Sequence, residues 1–459
     1  MKQKHIQHLY NRLGFGILPN DLEKLSKKSR KEVVNSLFSA SKTVSPIKQD
    51  VSEIKNLIGD SYMTAKENIR EIQKLSRELA PKLNMAWVKR LSNTSEIVRE
   101  KMTLFWSNHF VCEDNNYIYR ENYHNTLRAH ALGDFRAFVN AVSKEAAMTK
   151  YLNTKQNKKQ KPNENFAREL MELFTLGVGN YTEQDIKEAA KAFTGYSHDI
   201  HGNFLFRRRL HDYGEKTFFG KTGNYKGEDI VDIILEEKRC AEYICEKVYR
   251  YFVNDTLNKA HVEAMTNVFY KDYNINKLMK FVCNASWFYE DENIGNKIKS
   301  PIELLVGMNT LVPTTFNNQR QFLYLQRSLG QVLLDPPNVA GWKGGQNWID
   351  SNTITLRLKL PSLLLNSAYI SKARKGQNDA QMEQRKKMFK KNFGKRFNVE
   401  SNWDYFNKQF KSVSINELEN YVLACKASPA AKNYLNTLEK VSKQEYCVQL
   451  MSLPEYQMC

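Results

Sequence analysis

Acidic residues are the scarce charge in this sequence: 50 Asp and Glu face 69 Lys and Arg across 459 residues, a formal net charge of +19 at pH 7. Long apolar runs are missing as well. The longest, LPSLLLNSAYI and IELLVGM, fall far short of the roughly 18 residues that suggest a membrane span. The first twenty residues contain no apolar stretch of the length a secretory signal needs, so a cytoplasmic protein with no membrane span is expected. Cysteine is sparse. The seven, at 112, 240, 245, 283, 425, 447 and 459, are odd in number and include no C-x-x-C pair, which argues against a disulfide scaffold. Cys240 and Cys245 stand five apart in a helical pattern, on different faces, which argues against zinc. With 20 glycines and 11 prolines, the chain is not collagen-like. The glycines of PPNVAGWKGGQNWIDSNT lack both the G-x-G-x-x-G spacing and the GK[ST] ending of a phosphate loop, and no G-x-S-x-G or H-E-x-x-H occurs. Dinucleotide, P-loop, serine-hydrolase and zincin readings therefore lack their marks.

What is present is helical periodicity. KEVVNSLFSA, the run from 61 to 91, SEIVREKMTLFWSNHF, GDFRAFVNAVSKEAAMTKYL and VEAMTNVFYKDYNINKLMKF all space apolar residues by three and four. The pattern predicts a predominantly all-α, multi-helix globular body with one small β-hairpin excursion, placed in GNFLFRRRLHDYGEKTFFG. Two helix boundaries are well punctuated. Pro162 and Asn163 start one helix that Gly177 stops, while Thr182 and Asp185 have capping-box spacing before a helix that Gly195 stops. The expected organisation is a main helical domain over 1–370, a basic linker or exposed helix over 371–397, and a C-terminal helical segment over 398–459 packed on the body.

Several blocks together resemble a known family. HLYNRLGFG, REKMTLFWSNHF, LRAHALGDFRAF, PNENFARELMELFTLGVGNYT, FRRRLHDYGEKTFFG, KSPIELLVGM and PPNVAGWKGGQNWI followed by SNT occur in the order and spacing of the bacterial family called domain of unknown function 1800. The family has no established activity. The resemblance implies a sulfatase-like protein partner, because members are often encoded beside one. Family members usually read MELHTLG where this chain has Phe174, so any chemistry of that histidine is in question here.

Four groups of residues could carry chemistry. On a helix, Asn165, Glu169 and Glu172 form an i, i+4, i+7 stripe, with Arg168 one turn from Glu164 and Glu172. Two carboxylates so placed can act as an acid/base pair or hold a divalent cation. The plain alternative is an ion network around Arg168 that docks the helix. Histidines in the family-like blocks are His109, His130 and His211, and His211 with Asp212 is a dipeptide seen at phosphohydrolase metal sites. Each histidine taken singly is equally served by a core role. The loop around Trp342 and Trp348 could line a pocket or pack on itself. Basic clusters form the fourth group: five lysines and no acid over 150–161, three arginines at 207–209, and ten basic against two acidic residues over 372–396, together sixteen of the nineteen excess charges. No recognised nucleic-acid module accompanies them, so specific nucleic-acid binding is not expected.

These residues support a hydrolase or transferase, metal-assisted or acid/base, acting on an anionic substrate. Glu169, Glu172, His109, His211 and Asp212 are its candidate catalytic groups, and Glu169, Glu172 and His211 the candidate ligands of a divalent metal. Arg12, Arg168, Asn163, Asn165 and Trp342 are the candidate substrate contacts. The alternatives are a non-catalytic helical binding or assembly factor for a sulfatase-like partner, and a non-specific nucleic-acid binder.

Overall fold

The helix Ile97–His109 is buried on nearly every side, although it begins with the charged run Arg99, Glu100, Lys101. Successive residues of a helix point about 100° apart, so these three side chains reach three different neighbours. Arg99 donates to the carbonyls of Ser41 (3.1 Å), Thr43 (3.0 Å) and Arg128 (2.8 Å). Glu100 receives both arms of Arg128, at 2.6 and 3.2 Å, and the indole N–H of Trp87 at 3.1 Å. Lys101 pairs with Glu303 and donates to Gly14 O at 3.0 Å. The helix is thereby tied to Ile69–Ser92, Tyr117–His130, Pro301–Leu311 and the end of Gln3–Leu13. Burial alone would push the Glu303 carboxyl up. The Lys101 charge and hydrogen bond, with the Ser300 backbone N–H, outweigh it and hold the group at about 2. That contribution to stability is complete above the ordinary glutamate range and is lost as pH falls toward 2.

The computed structural model describes residues 1–365, 399–438 and 441–459. The basic stretch expected as a linker over 371–397 lies outside them. Helices dominate, and strands among the described residues are confined to three two-stranded antiparallel sheets. One apolar core runs through the whole, from Leu9 and Leu13 in the first helix to Val448, Leu450 and Tyr456 near the last, and it includes Phe406 and Phe410. Trp106 lies wholly inside it, its N–H satisfied by Ala131 O at 3.0 Å. No described helix is long and apolar enough to cross a membrane.

The β structure differs from the single hairpin expected. Tyr196–His198 pairs with Phe204–Phe206, and Lys216–Phe218 pairs with Lys221–Gly223. Between them, residues Arg208–Leu210 form a 3-10 turn and the Asp212 carboxylate accepts from Gly214 N at 2.8 Å. This compact turn prevents the two outer strands from meeting, so each takes a local partner. The third sheet joins Thr314–Phe316 to Val399–Ser401, a long-range pairing that no local pattern announces.

Removing Arg128 leaves the buried Glu100 carboxylate with the Trp87 N–H and the more distant Arg90 (3.7 Å), and removing Glu100 strands the Arg128 charge. Arg128→Met should lower the unfolding free energy by about 3–5 kcal/mol, and the double variant Glu100→Gln, Arg128→Met should cost less than the two single changes added together. Urea unfolding of the three variants measures this.

Candidate functional site

The segment over 161–177 carries the expected acidic stripe and folds less simply than a straight helix. Asn163 opens it, its own N–H on Asn157 Oδ1 (2.9 Å) and its side-chain oxygen accepting from Asn165 N (3.1 Å). A single α turn, Asn165–Glu169, then widens into a π-helical turn, Leu170–Thr175, in which Leu176 N reaches back five residues to Met171 O (2.9 Å). Such turns recur at functional sites. Along the expected stripe Asn165 is exposed, and both glutamates are half-buried. The two carboxyl groups still act on one another. Glu169 is raised by burial and then by the Glu172 charge, with Arg168 opposing. Glu172 accepts the Tyr181 hydroxyl at 2.9 Å.

The end of this turn leaves carbonyls that helix geometry cannot satisfy, and side chains from other elements take them. The Tyr243 hydroxyl reaches Glu172 O (3.2 Å) and Leu173 O (3.1 Å), and Arg239 Nε reaches Leu176 O (3.3 Å). His109 Nε2 meets Phe174 O at 3.0 Å, so that nitrogen carries the proton and donates. Its Nδ1 is then an unprotonated acceptor, buried and without a partner among the described residues. Burial, and then the nearby Lys247 ammonium, hold His109 well below its ordinary range, so the ring is neutral at pH 7. Lys247 lies 4.9 Å from the centre of the Tyr243 ring, and burial lowers it to about 8. Gly177 closes the turn with φ +83°, where a Cβ would come within 2.9 Å of the Tyr243 ring. The glycine is needed for both its conformation and its contact.

The structure thus carries Asn163, Asn165, Arg168, Glu169 and Glu172 on one segment, which His109 caps at the Phe174 carbonyl, and places His211, Asp212, Arg12 and His130 elsewhere. His211 donates from Nδ1 to Thr194 O (2.8 Å), wedged edge-on between Phe206 and Tyr213, and its Nε2 is buried without a partner among the described residues. Asp212 belongs to the turn described above, where its carbonyl accepts from the buried Lys216 ammonium (2.7 Å). Arg12 is buried, with one arm on Asn293 O (2.8 Å) and Asn296 Oδ1 (2.5 Å). Arg168 gives both arms to Glu183 of the following helix (2.9 Å each) and one to Glu164 (3.2 Å), rather than bridging to Glu172. His130 stacks on Phe138 at 5.5 Å. Among the described residues, no group of three or more His, Cys, Asp or Glu side chains comes together in a way that could hold a metal ion, and so Glu169, Glu172 and His211 form no such group. His211 is set instead among Thr194, Phe206, Tyr213 and Lys216, and its electrostatic neighbours include neither glutamate.

Trp342 is fixed by the residue next to His109. Asn108 accepts from Trp342 N (2.7 Å) and donates to Trp342 O (3.0 Å), a two-point clamp between loop and helix end. Gly341 makes the clamp possible, since at φ +74° a Cβ would lie 2.2 Å from Asn108 Oδ1. Trp342 then walls a narrow cavity of about 30 Å³ together with Cys112, Asp114, Arg120 and His124. Sequence reasoning missed Asn108, Tyr181, Tyr243 and Lys247. The last two stand one helical turn apart in RCAEYICEKVYRYF, and only the periodicity of that segment hinted that they share a face.

A mostly helical body with paired carboxyl groups at a π turn is the class that these features define. The chain belongs to the family described as protein of unknown function (DUF1800), which it matches over residues 8–458. No curated protein and no solved structure matches it.

Two substitutions separate docking from site-building. Arg168→Ala should cost no more than about 1 kcal/mol, as its ion pairs are solvent-screened. Gly341→Ala should cost about 1–3 kcal/mol and move Trp342 emission to the red as the loop leaves Asn108. Thermal unfolding and tryptophan fluorescence read both.

Proposed function

We propose that the chain is an acid–base enzyme, a hydrolase or transferase of an anionic substrate, with Glu169 and Glu172 as its carboxyl pair. One observation carries the reading: at a single π turn, burial and a neighbouring charge raise one glutamate, while a phenol hydroxyl orients the other. Glu169 keeps its proton to higher pH and gives it to the leaving oxygen. Glu172 takes a proton from the attacking water or alcohol as that oxygen bonds to the substrate. Lys247, for which no carboxylate lies within ion-pair distance among the described residues, supplies positive charge beside the turn. This reading needs no metal ligand beyond the carboxylates. The plain alternative, a helix docked by ion pairs, accounts for Arg168 with Glu183 but not for Glu169.

Linkage gives a test that needs no substrate. A carboxyl raised in the folded state keeps its proton in a pH window just above the ordinary glutamate pKa, where the unfolded chain has lost its own. Stability therefore falls as pH rises through that window and stays lower above it. Glu169→Gln should melt with the parent near pH 4 and above it at pH 7. Equal melting at both values would mean that the pair is not coupled, and the reading fails. With p-nitrophenyl phosphate and p-nitrophenyl sulfate as probes, Glu172→Gln should lose about a hundredfold or more in turnover and Glu169→Gln much less, because p-nitrophenolate leaves without a donated proton.

A further inference from the structure

Three hollows of the surface share residues and form one path. The outermost is an open trough of about 630 Å³ beside the helix Ile69–Ser92, where Lys74, Arg77, Lys82 and Arg320 face a single acid, Glu78. Arg77 and Pro81 also line the next hollow, of about 240 Å³, to which Arg120 and Arg327 contribute against Glu113 and Asp335. Arg120 in turn lines the narrow cavity walled by Trp342. Lys74 is paired with Glu71 at 3.0 Å. Arg77 and Arg120 spend only Nε, on the backbone carbonyls of Gln73 (3.3 Å) and Asp114 (2.8 Å), and for Arg77, Arg120 and Arg327 no carboxylate lies within ion-pair distance among the described residues.

The middle hollow is a built site. Beneath it, the buried amides of Asn84 and Gln326 bond to each other (2.7 and 3.1 Å) and jointly hold the Leu333 backbone: Asn84 donates to its carbonyl (3.0 Å), and Gln326 accepts from its N–H (2.9 Å). The next residue, Leu334, which lines the narrow cavity beside it, is left-handed at φ +68°. A leucine keeps that conformation only where its surroundings over-determine it, as they do when a wall is held in shape for a ligand.

We infer that the trough and the middle hollow together bind an acidic polysaccharide, its carboxylate or sulfate groups on Arg77, Arg120 and Arg327 and its hydroxyls on the amides of Asn115 and Gln319. Length argues against a small anion: from Lys74 to Asn84 the helix wall rises about 15 Å. Chemistry argues against nucleic acid. Single strands bind on exposed aromatic faces, and among the described residues the one aromatic that lines either hollow, Tyr117, is buried with its hydroxyl on Glu121 at 2.8 Å. The inference names a ligand class for the anionic substrate proposed above, yet it rests on other residues and is read as binding, so Glu169→Gln should retain it in full.

The test uses the full chain and a fluorescent heparin oligosaccharide, titrated by anisotropy at physiological salt. Arg77→Glu with Arg327→Glu should weaken binding by about tenfold or more. Lys259→Glu with Lys271→Glu, which changes net charge equally outside the trough, should weaken it by less than about twofold. Melting curves confirm that both variants fold. Equal losses in the two variants, no binding of heparin by the parent, or tighter binding of a single-stranded thymidine oligomer than of heparin would each overturn the inference.

Discussion

A carboxylate sealed from water, Glu100, and the guanidinium that neutralises it, Arg128, set the terms for the rest of this molecule. Neither side chain has any exposed surface. Ionic groups in such a place must be fully paired and hydrogen-bonded, so the positions of their backbones leave little freedom. The pair joins Ile97–His109 to Tyr117–His130, the Trp87 N–H adds Ile69–Ser92, and Arg99 and Lys101 on either side bring in three more parts of the chain, at Ser41 and Thr43, at Glu303 and at Gly14. Hydrophobic burial supplies most of the driving force, as in any core. The charged run decides which helices meet and at what rotation.

That rotation is what the candidate site inherits. The last turn of the same helix presents three consecutive side chains, each with a distinct task. Ser107 lines the cavity beside Trp342, Asn108 clamps the loop that carries Trp342, and His109 caps the π turn that carries the glutamates. An error in the helix's rotation would separate these contacts at once. The π turn supplies the complementary irregularity, since its unsatisfied carbonyls draw in Tyr243 and His109 from elsewhere in the fold.

The charge excess divides by location. The arginines at 207–209 are exposed, and of the lysines over 150–161, Lys150 pairs with the buried Asp114 at 2.8 Å while Lys155 lies against His198 at 3.4 Å. Part of what the sequence presents as a basic patch is therefore counter-charge for the interior. A further set of cations lines the trough along Ile69–Ser92. No run of like charge marks them, because they are spaced along one helix and completed by Arg120, Arg320 and Arg327 from distant parts of the chain.

Local physics was legible in the residues. Helical spacing, the Thr182–Asp185 capping box and the glycine stops at 177 and 195 all stand in the structure as the sequence implied, because each depends on neighbours only a few positions away. The blocks shared with the family were legible for the same reason. Position in space was not. Nothing local says that Arg99, Glu100 and Lys101 face inward, that a π turn interrupts the helix after Glu169, that His211 bonds to the Thr194 backbone away from the glutamates, or that Asn108 holds a loop more than 200 residues further on. Each of these is settled by a partner from another element. The free energy of burying a charge or an amide depends on whether that partner arrives, and only the assembled tertiary structure supplies it.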